Sequence, residues 1–318
     1  MSEASESLRK AFSEGDTIRD AGLTTPEGIV RYDDIQYGED SKWQVLDIYR
    51  PKNTSEFLPV IISVHGGGWV YGDKERYQFY CMDLAERGFA VVNFTYRLAP
   101  EFKFPSSLED LNLVANFVLD TAGQYGFDID RVFAVGDLAG AHLLGLYANL
   151  LTNPAYAAHY PFSAPAGFMF KAVALNCGCY QMEAERGTQT AALMEDLLPE
   201  KGTEEEYDKI NVLKHMTSLF PPVYAMSATG DFLKDQLGLL QTELVKRDVP
   251  HIVHYFTAPN ALGIRRGDLP KPALPQIPGM PTMPSGERVL GHVFHLNIRS
   301  SDAMWCNEEE CAFFRQYC

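Results

Sequence analysis

The 318-residue sequence has no run of the roughly 18 apolar residues that a membrane-spanning helix needs, so no transmembrane helix is expected. Its start, MSEASESLRKAFSEGDTIRD, lacks a basic stretch followed by an apolar one, which argues against a secretory leader and for a cytoplasmic protein. Basic residues are scarce, 27 Lys and Arg against 42 Asp and Glu, for a net charge of −15. That balance disfavours nucleic acid and anionic membrane as partners, because both require a basic footprint. Cysteine is sparse too, and its spacing does not suit a metal. Cys177-Gly-Cys179 is too tight for a zinc knuckle, and Cys306 and Cys311 have no second spaced pair, although His295 is near in sequence. Neither a metal nor a cofactor is therefore expected. Without a leader, the six cysteines (Cys81, Cys177, Cys179, Cys306, Cys311 and Cys318) read as free thiols.

What the chain does contain is 46% hydrophobic residues in a repeating order, ample for a buried core. Residues 44–51, 58–66, 89–97, 131–135, 170–178, 221–230 and 251–258 read as strands. Residues 77–88, 106–126, 139–151 and 234–248 carry helical spacing, with Leu108, Leu111, Val114, Ala115 and Val118 on one face of the second. Near-continuous apolar strands alternating with helices imply a mostly parallel central sheet covered on both faces, an α/β fold. No linker divides the chain, so a single domain is expected over 1–318. Residues 1–35 and the acidic stretch 181–220 stand outside the alternation and suit a cap.

In an open α/β sheet, chemistry collects in loops at the carboxyl ends of strands. The first such loop is HGGGWVYGD (65–73), whose consecutive glycines permit close backbone approach and present free N–H donors; a glycine-rich turn of no chemical role remains the alternative. The second is GDLAG (136–140), a sharp strand-to-helix turn. In many enzymes the middle residue of such a G-x-x-x-G turn is a serine nucleophile; here it is Leu138. The third set is Asp231 in ATGDFLKD and His292 in LGHVFHLN, in the chain order nucleophile, acid, base. Asp235 competes with Asp231, and His295 with His292. His65 reads as a brace for its own loop. His142, His159, His215, His251 and His254 have no motif around them.

Taken together, HGGGW (65–69), YRLAPE (96–101), FP (104–105), GDLAG, GDFLKD (230–235) and GHVFH (291–295) resemble the hormone-sensitive-lipase-like carboxylesterases of the α/β-hydrolase fold, over roughly residues 40–300. The resemblance implies an oxyanion hole formed by the backbones of Gly67, Gly68 and Ala139. It also implies His292 as general base and acid, Asp231 as its orienting partner, residue 138 as nucleophile, and a pocket bordered by Trp69, Leu138 and Val293. The implied substrate is a small short-chain acyl or acetyl ester, including carbohydrate acetates. Leu138 has neither a proton to give up nor a lone pair to attack with, so the chain as written is expected to be inactive in covalent ester hydrolysis. A ligand-binding or receptor role on a hydrolase scaffold is the alternative, and a third is direct activation of water by His292 and Asp231.

The resemblance does not cover residues 260–288. There, Pro272, Pro275, Pro278, Pro281 and Pro284 recur with the three-residue turn of polyproline II. Leu274, Ile277, Met280 and Met283 keep the same period, which predicts a rod lying on an apolar surface of this chain or of a second subunit. A disordered linker or a PxxP ligand would be the other readings. Exposed strands and such a rod are compatible with a homodimer.

Overall fold

The computed structural model describes residues 1–54, 56–182, 188–257 and 290–318. The proline-rich segment 260–288 lies outside the described residues, as do 183–187 within the acidic stretch.

The strands are β1 (Ile29–Gln36), β2 (Val45–Pro51), β3 (Leu58–Val64), β4 (Ala90–Phe94), β5 (Phe127–Asp137), β6 (Ala172–Asn176), β7 (Val223–Ala228) and β8 (His251–Phe256). The helices are α1 (Glu3–Asp20), α2 (Lys74–Ala85), α3 (Ser106–Asp120), α4 (Ala122–Tyr125), α5 (Ala139–Thr152), α6 (Pro154–Ala157), α7 (Gln189–Leu197), α8 (Glu204–Lys209), α9 (Val212–His215), α10 (Lys234–Lys246) and α11 (Ser301–Arg315). The strands form one sheet in the order β1-β2-β4-β3-β5-β6-β7-β8. From β4 to β8 every pairing is parallel, while β2 is antiparallel to both of its neighbours, β1 and β4.

Side chains alternate across this sheet, and both faces are buried. Val60, Ile62 and Val64 of β3 join a core with α3, α5 and α10, whereas Ile61 points to the opposite core with α2 and α11. Double-sided burial is why the strands read as continuous apolar runs. Each large apolar side chain removed from water contributes about 1.5–3 kcal/mol.

Several boundaries moved. Helix α2 begins at Lys74, before the expected 77, because the Asp73 side chain caps it by accepting from Arg76 N. The expected helix over 106–126 breaks at Thr121, whose hydroxyl bonds back to the Phe117 carbonyl, and Gly126 closes α4 in the left-handed region at φ 64°. β5 is longer than 131–135. Its start, Phe127 and Asp128, pairs with Leu58 and Pro59 before an irregularity restores register at Val60↔Val132. The expected cap segment 1–35 divides: Glu3–Asp20 is helical, but Ile29–Gln36 is the outer strand of the sheet, interrupted by a register shift between Tyr32 and Ile35. No helix among the described residues is long and apolar enough to cross a membrane.

Candidate active site

The register Val64↔Phe94 and Val64↔Gly136 aligns the carboxyl ends of β3, β4 and β5, so the loop after β3 lies beside the turn after β5. That turn is abrupt. β5 ends at Asp137, α5 starts at Ala139, and Leu138 between them has φ 51° and ψ −114°. Strain of this kind costs on the order of 1–3 kcal/mol in a non-glycine residue and persists only where the surroundings impose it. Here they do. A Cβ on Gly140 would lie 2.0 Å from the Val64 carbonyl oxygen, so α5 rests backbone to backbone on the end of β3. Leu138 N also donates to Asn176 O at 3.2 Å. Trp69 (φ 63°), Cys177 (φ 44°) and Val293 (φ 49°) share this positive-φ geometry in the loops after β3, β6 and β8.

The glycine loop is equally constrained. Gly67 has φ 122°, and a Cβ on it would lie 2.1 Å from the Tyr71 carbonyl oxygen. The N–H groups of Gly67, Gly68 and Ala139 donate to no acceptor among the described residues. Free donors at the start of a 14-residue helix and in an adjoining loop can hold developing negative charge. Trp69 Nε1 donates to His142 Nδ1 at 3.1 Å, and His142 Nε2 contacts Ile210 O at 2.8 Å, which fixes the tautomer with its proton on Nε2. Burial pushes His142 down to about 4, so it stays neutral as a tie between loop, α5 and the segment before α9. His65 stacks on Tyr96 with ring centroids 3.9 Å apart, and Tyr96 OH donates to His65 O.

On the other side of the edge, Gly291 bridges to Gly230, bringing the residues after β8 beside the residues after β7. His292 Nδ1 and Asp231 Oδ1 are 2.7 Å apart. Asp231 also accepts from Ser227 Oγ at 2.7 Å and Leu233 N at 2.8 Å. Burial works to raise its carboxyl, but His292 and these donors hold it below the usual aspartate range. The Nε2 of His292 is buried and has no partner among the described residues. The competing candidates lie elsewhere: Asp235 is exposed on the first turn of α10, and His295 is buried edge-on to Tyr80, with neither ring nitrogen bonded among the described residues. Burial, reinforced by His292, pushes His295 down to about 3.

Trp69 and Leu138 share one core cluster, while Val293 packs with the opposite one, so the three expected pocket residues are not all in one cluster. Cys177 Sγ lies with the Asp231 and His292 ligand atoms, all within 4.8 Å, but those two groups are already hydrogen-bonded to each other. All six cysteines are free.

Two further features lie outside the motifs. Gly66 N donates to Tyr77 OH, which donates to Asp137 Oδ2, both at 2.8 Å. Helix α1 also lies over the glycine loop. Leu8 Cδ1 stands 3.0 Å from where a Gly68 Cβ would be, Arg9 donates to Val70 O and Ala99 O, and Ser2 and Ser5 hydroxyls donate to Asp196 of α7. The i to i+4 step from Leu138 to His142 could have singled out that histidine; nothing local pointed to Tyr77 or Leu8.

Comparison with known proteins adds an independent line. An ethyl acetate hydrolase of Pseudomonas putida is 30% identical over 152 residues, covering 47% of this chain and 44% of the relative. A versiconal hemiacetal acetate esterase of Dothistroma septosporum is 36% identical over 103 residues, 32% of this chain and 31% of the relative. The chain thus spans less than half the length of the curated relatives it matches. Among solved structures, esterase B from Lactobacillus rhamnosis superposes with a TM-score of 0.82 at 23% identity, covering 99% of this chain and 97% of that one. The metagenomic carboxylesterase EstE1 gives 0.72 at 22%, covering 100% and 99%. These two establish the α/β-hydrolase fold. The BD-FAE family model matches residues 46–233, more than half of the sequence, and the chain therefore belongs to this family of carboxylesterase-type α/β hydrolases.

Proposed function

We propose that the chain is a scaffold for hydrolysis of short-chain acyl or acetyl esters, carbohydrate acetates included, in which the covalent route is closed at residue 138. The observation that carries this reading is Leu138 held at φ 51° and ψ −114° at the same sheet edge as the hydrogen-bonded Asp231–His292 pair. A leucine gains nothing from that backbone, so the strain belongs to an elbow shaped for another side chain. In the mechanism such an elbow serves, a hydroxyl at position 138 gives its proton to His292 Nε2 as it attacks the ester carbonyl. The N–H groups of Gly67, Gly68 and Ala139 take the oxyanion, and Asp231 stabilises the imidazolium. Leu138 removes the first step. The relatives support the substrate class, since two are named for acetate esters.

Leu138→Ser, assayed with p-nitrophenyl acetate and butyrate, tests the reading. A burst followed by steady turnover is expected on both esters, against no activity in the chain as written. A folded Leu138→Ser variant without activity would overturn it and leave a ligand-binding role.

A further inference from the structure

Gly66 occupies a slot between two side chains from distant parts of the sequence. A Cβ there would lie 2.8 Å from Asp137 Oδ2, 2.9 Å from the Asp137 carbonyl oxygen and 2.9 Å from Tyr77 OH. The hydrogen bonds run in one direction, from Gly66 N–H to the Tyr77 hydroxyl oxygen and from the Tyr77 hydroxyl to Asp137 Oδ2. Tyr77 and Asp137 are 6% and 2% exposed, so water does not compete. Asp137 precedes the elbow residue by one position, and Gly66 precedes the first free donor of the glycine loop by one. A single phenol therefore couples the two backbone segments that must present N–H groups to the same point.

We propose that Tyr77 is a positioning residue, which with Asp137 locks the glycine loop in register with the elbow and so aims the Gly67 and Gly68 donors. This rests on the esterase reading for its catalytic consequence, though not for the clamp itself. Donors must be held within roughly 0.5 Å and 10–20° to act on a transition state. Freed at one end, the Gly66 peptide can rotate, carrying the following donors with it. A buried Tyr–Asp pair serving stability alone would show itself differently, as a uniform loss across the sheet.

Two measurements separate these roles. In the chain as it stands, Tyr77→Phe keeps the ring and removes both hydrogen bonds. The Gly66 amide should exchange with solvent at least about tenfold faster, and the Gly67 and Gly68 amide resonances should move, while β3 and β5 amides keep their protection. In the Leu138→Ser background, Tyr77→Phe should lower kcat by about 10- to 100-fold, less than the loss of a whole oxyanion donor, with KM within about twofold. Asp137→Asn, which retains an oxygen to accept from Tyr77, should keep most of kcat in that background. Unchanged loop exchange, or acceleration spread evenly through β3 and β5, would overturn the proposal, as would an equal loss in kcat and 1/KM. If Leu138→Ser is itself inactive, the esterase reading fails alone and the exchange arm still decides the clamp.

Discussion

Two buried aspartates, one on each side of the sheet's carboxyl edge, differ in what surrounds them. Asp231 accepts from His292, Ser227 and Leu233, whereas Asp137 accepts from Tyr77 alone among the described residues. Burial raises both carboxyls; three donors outweigh it at Asp231, and one does not at Asp137, which is pushed up to about 7. The Asp231 arm thus holds its carboxylate charged with three donors, while the elbow arm at Leu138 holds a backbone shape. That difference explains how a leucine can occupy the elbow. Its geometry comes from Gly140 packed on Val64 and from the Asn176 carbonyl, none of which depends on the side chain at position 138.

The largest effect should come from joining the two arms. If the elbow's shape is independent of residue 138, Leu138→Ser should raise kcat on p-nitrophenyl acetate by several orders of magnitude, approaching the roughly millionfold that a triad serine is worth. Adding Asp231→Asn to that variant should then cost about 10⁴-fold in kcat, because the imidazole loses its tautomer and its counter-charge. A loss comparable to that of a surface carboxyl would place the orienting role elsewhere. Asp235→Asn, on the exposed turn of α10, serves as the control and should change kcat by less than about twofold. Next in size is Gly140→Ala, whose Cβ would meet the Val64 oxygen at 2.0 Å. Unfolding in urea should show about 3 kcal/mol lost. A neutral substitution would mean that the helix is not fixed against β3 and that the elbow's shape has another origin.

The comparison also separates what could be read from the sequence from what could not. Strands β2 to β8 and helices α2, α3, α5 and α10 were legible, the inner strands because burial on both faces leaves an apolar signature, whereas the short α4 and α6 were not read as separate helices. β1 was not, since Asp33, Asp34 and Gln36 face outward on a strand with a register break. The site residues on the motifs were legible as positions: Leu138 at the turn, and Asp231 with His292. Their supports were not. Tyr77 and Leu8 lie in helices whose sequence shows only amphipathic spacing, and their contacts with Asp137 and the Gly68 loop arise from tertiary packing. Val293 shows the limit from the other side. The resemblance implied a pocket border, and Val293, with φ 49°, packs against the core on the face opposite Trp69 and Leu138.

The smallest expected effect tests whether the elbow's floor is charged. Asp137 and Glu310 are buried carboxyls pushed up to about 7, Glu310 accepting from Tyr80 and Asn176. His65, His142 and His295 are buried imidazoles pushed down to about 4, 4 and 3. The histidines contribute stability that is present above about pH 6.5 and lost as pH falls toward 4, because the unfolded chain takes up their protons first. The carboxyls act in the opposite sense. Their contribution is present below about pH 4 and lost as pH rises toward 7, because the folded chain retains protons that the unfolded chain has released. Between pH 5 and 6 the two sets largely cancel, so these five groups together give the unfolding free energy a shallow slope. Asp137→Asn with Glu310→Gln removes the carboxyl half and leaves the histidines unopposed. The stability of this double variant should rise from pH 5 to 6 more steeply than that of the parent, by roughly 2 kcal/mol per pH unit, in urea unfolding at the two pH values. Equal slopes would mean that both carboxyls are ionised throughout this range, and the elbow arm would then carry charge as the Asp231 arm does.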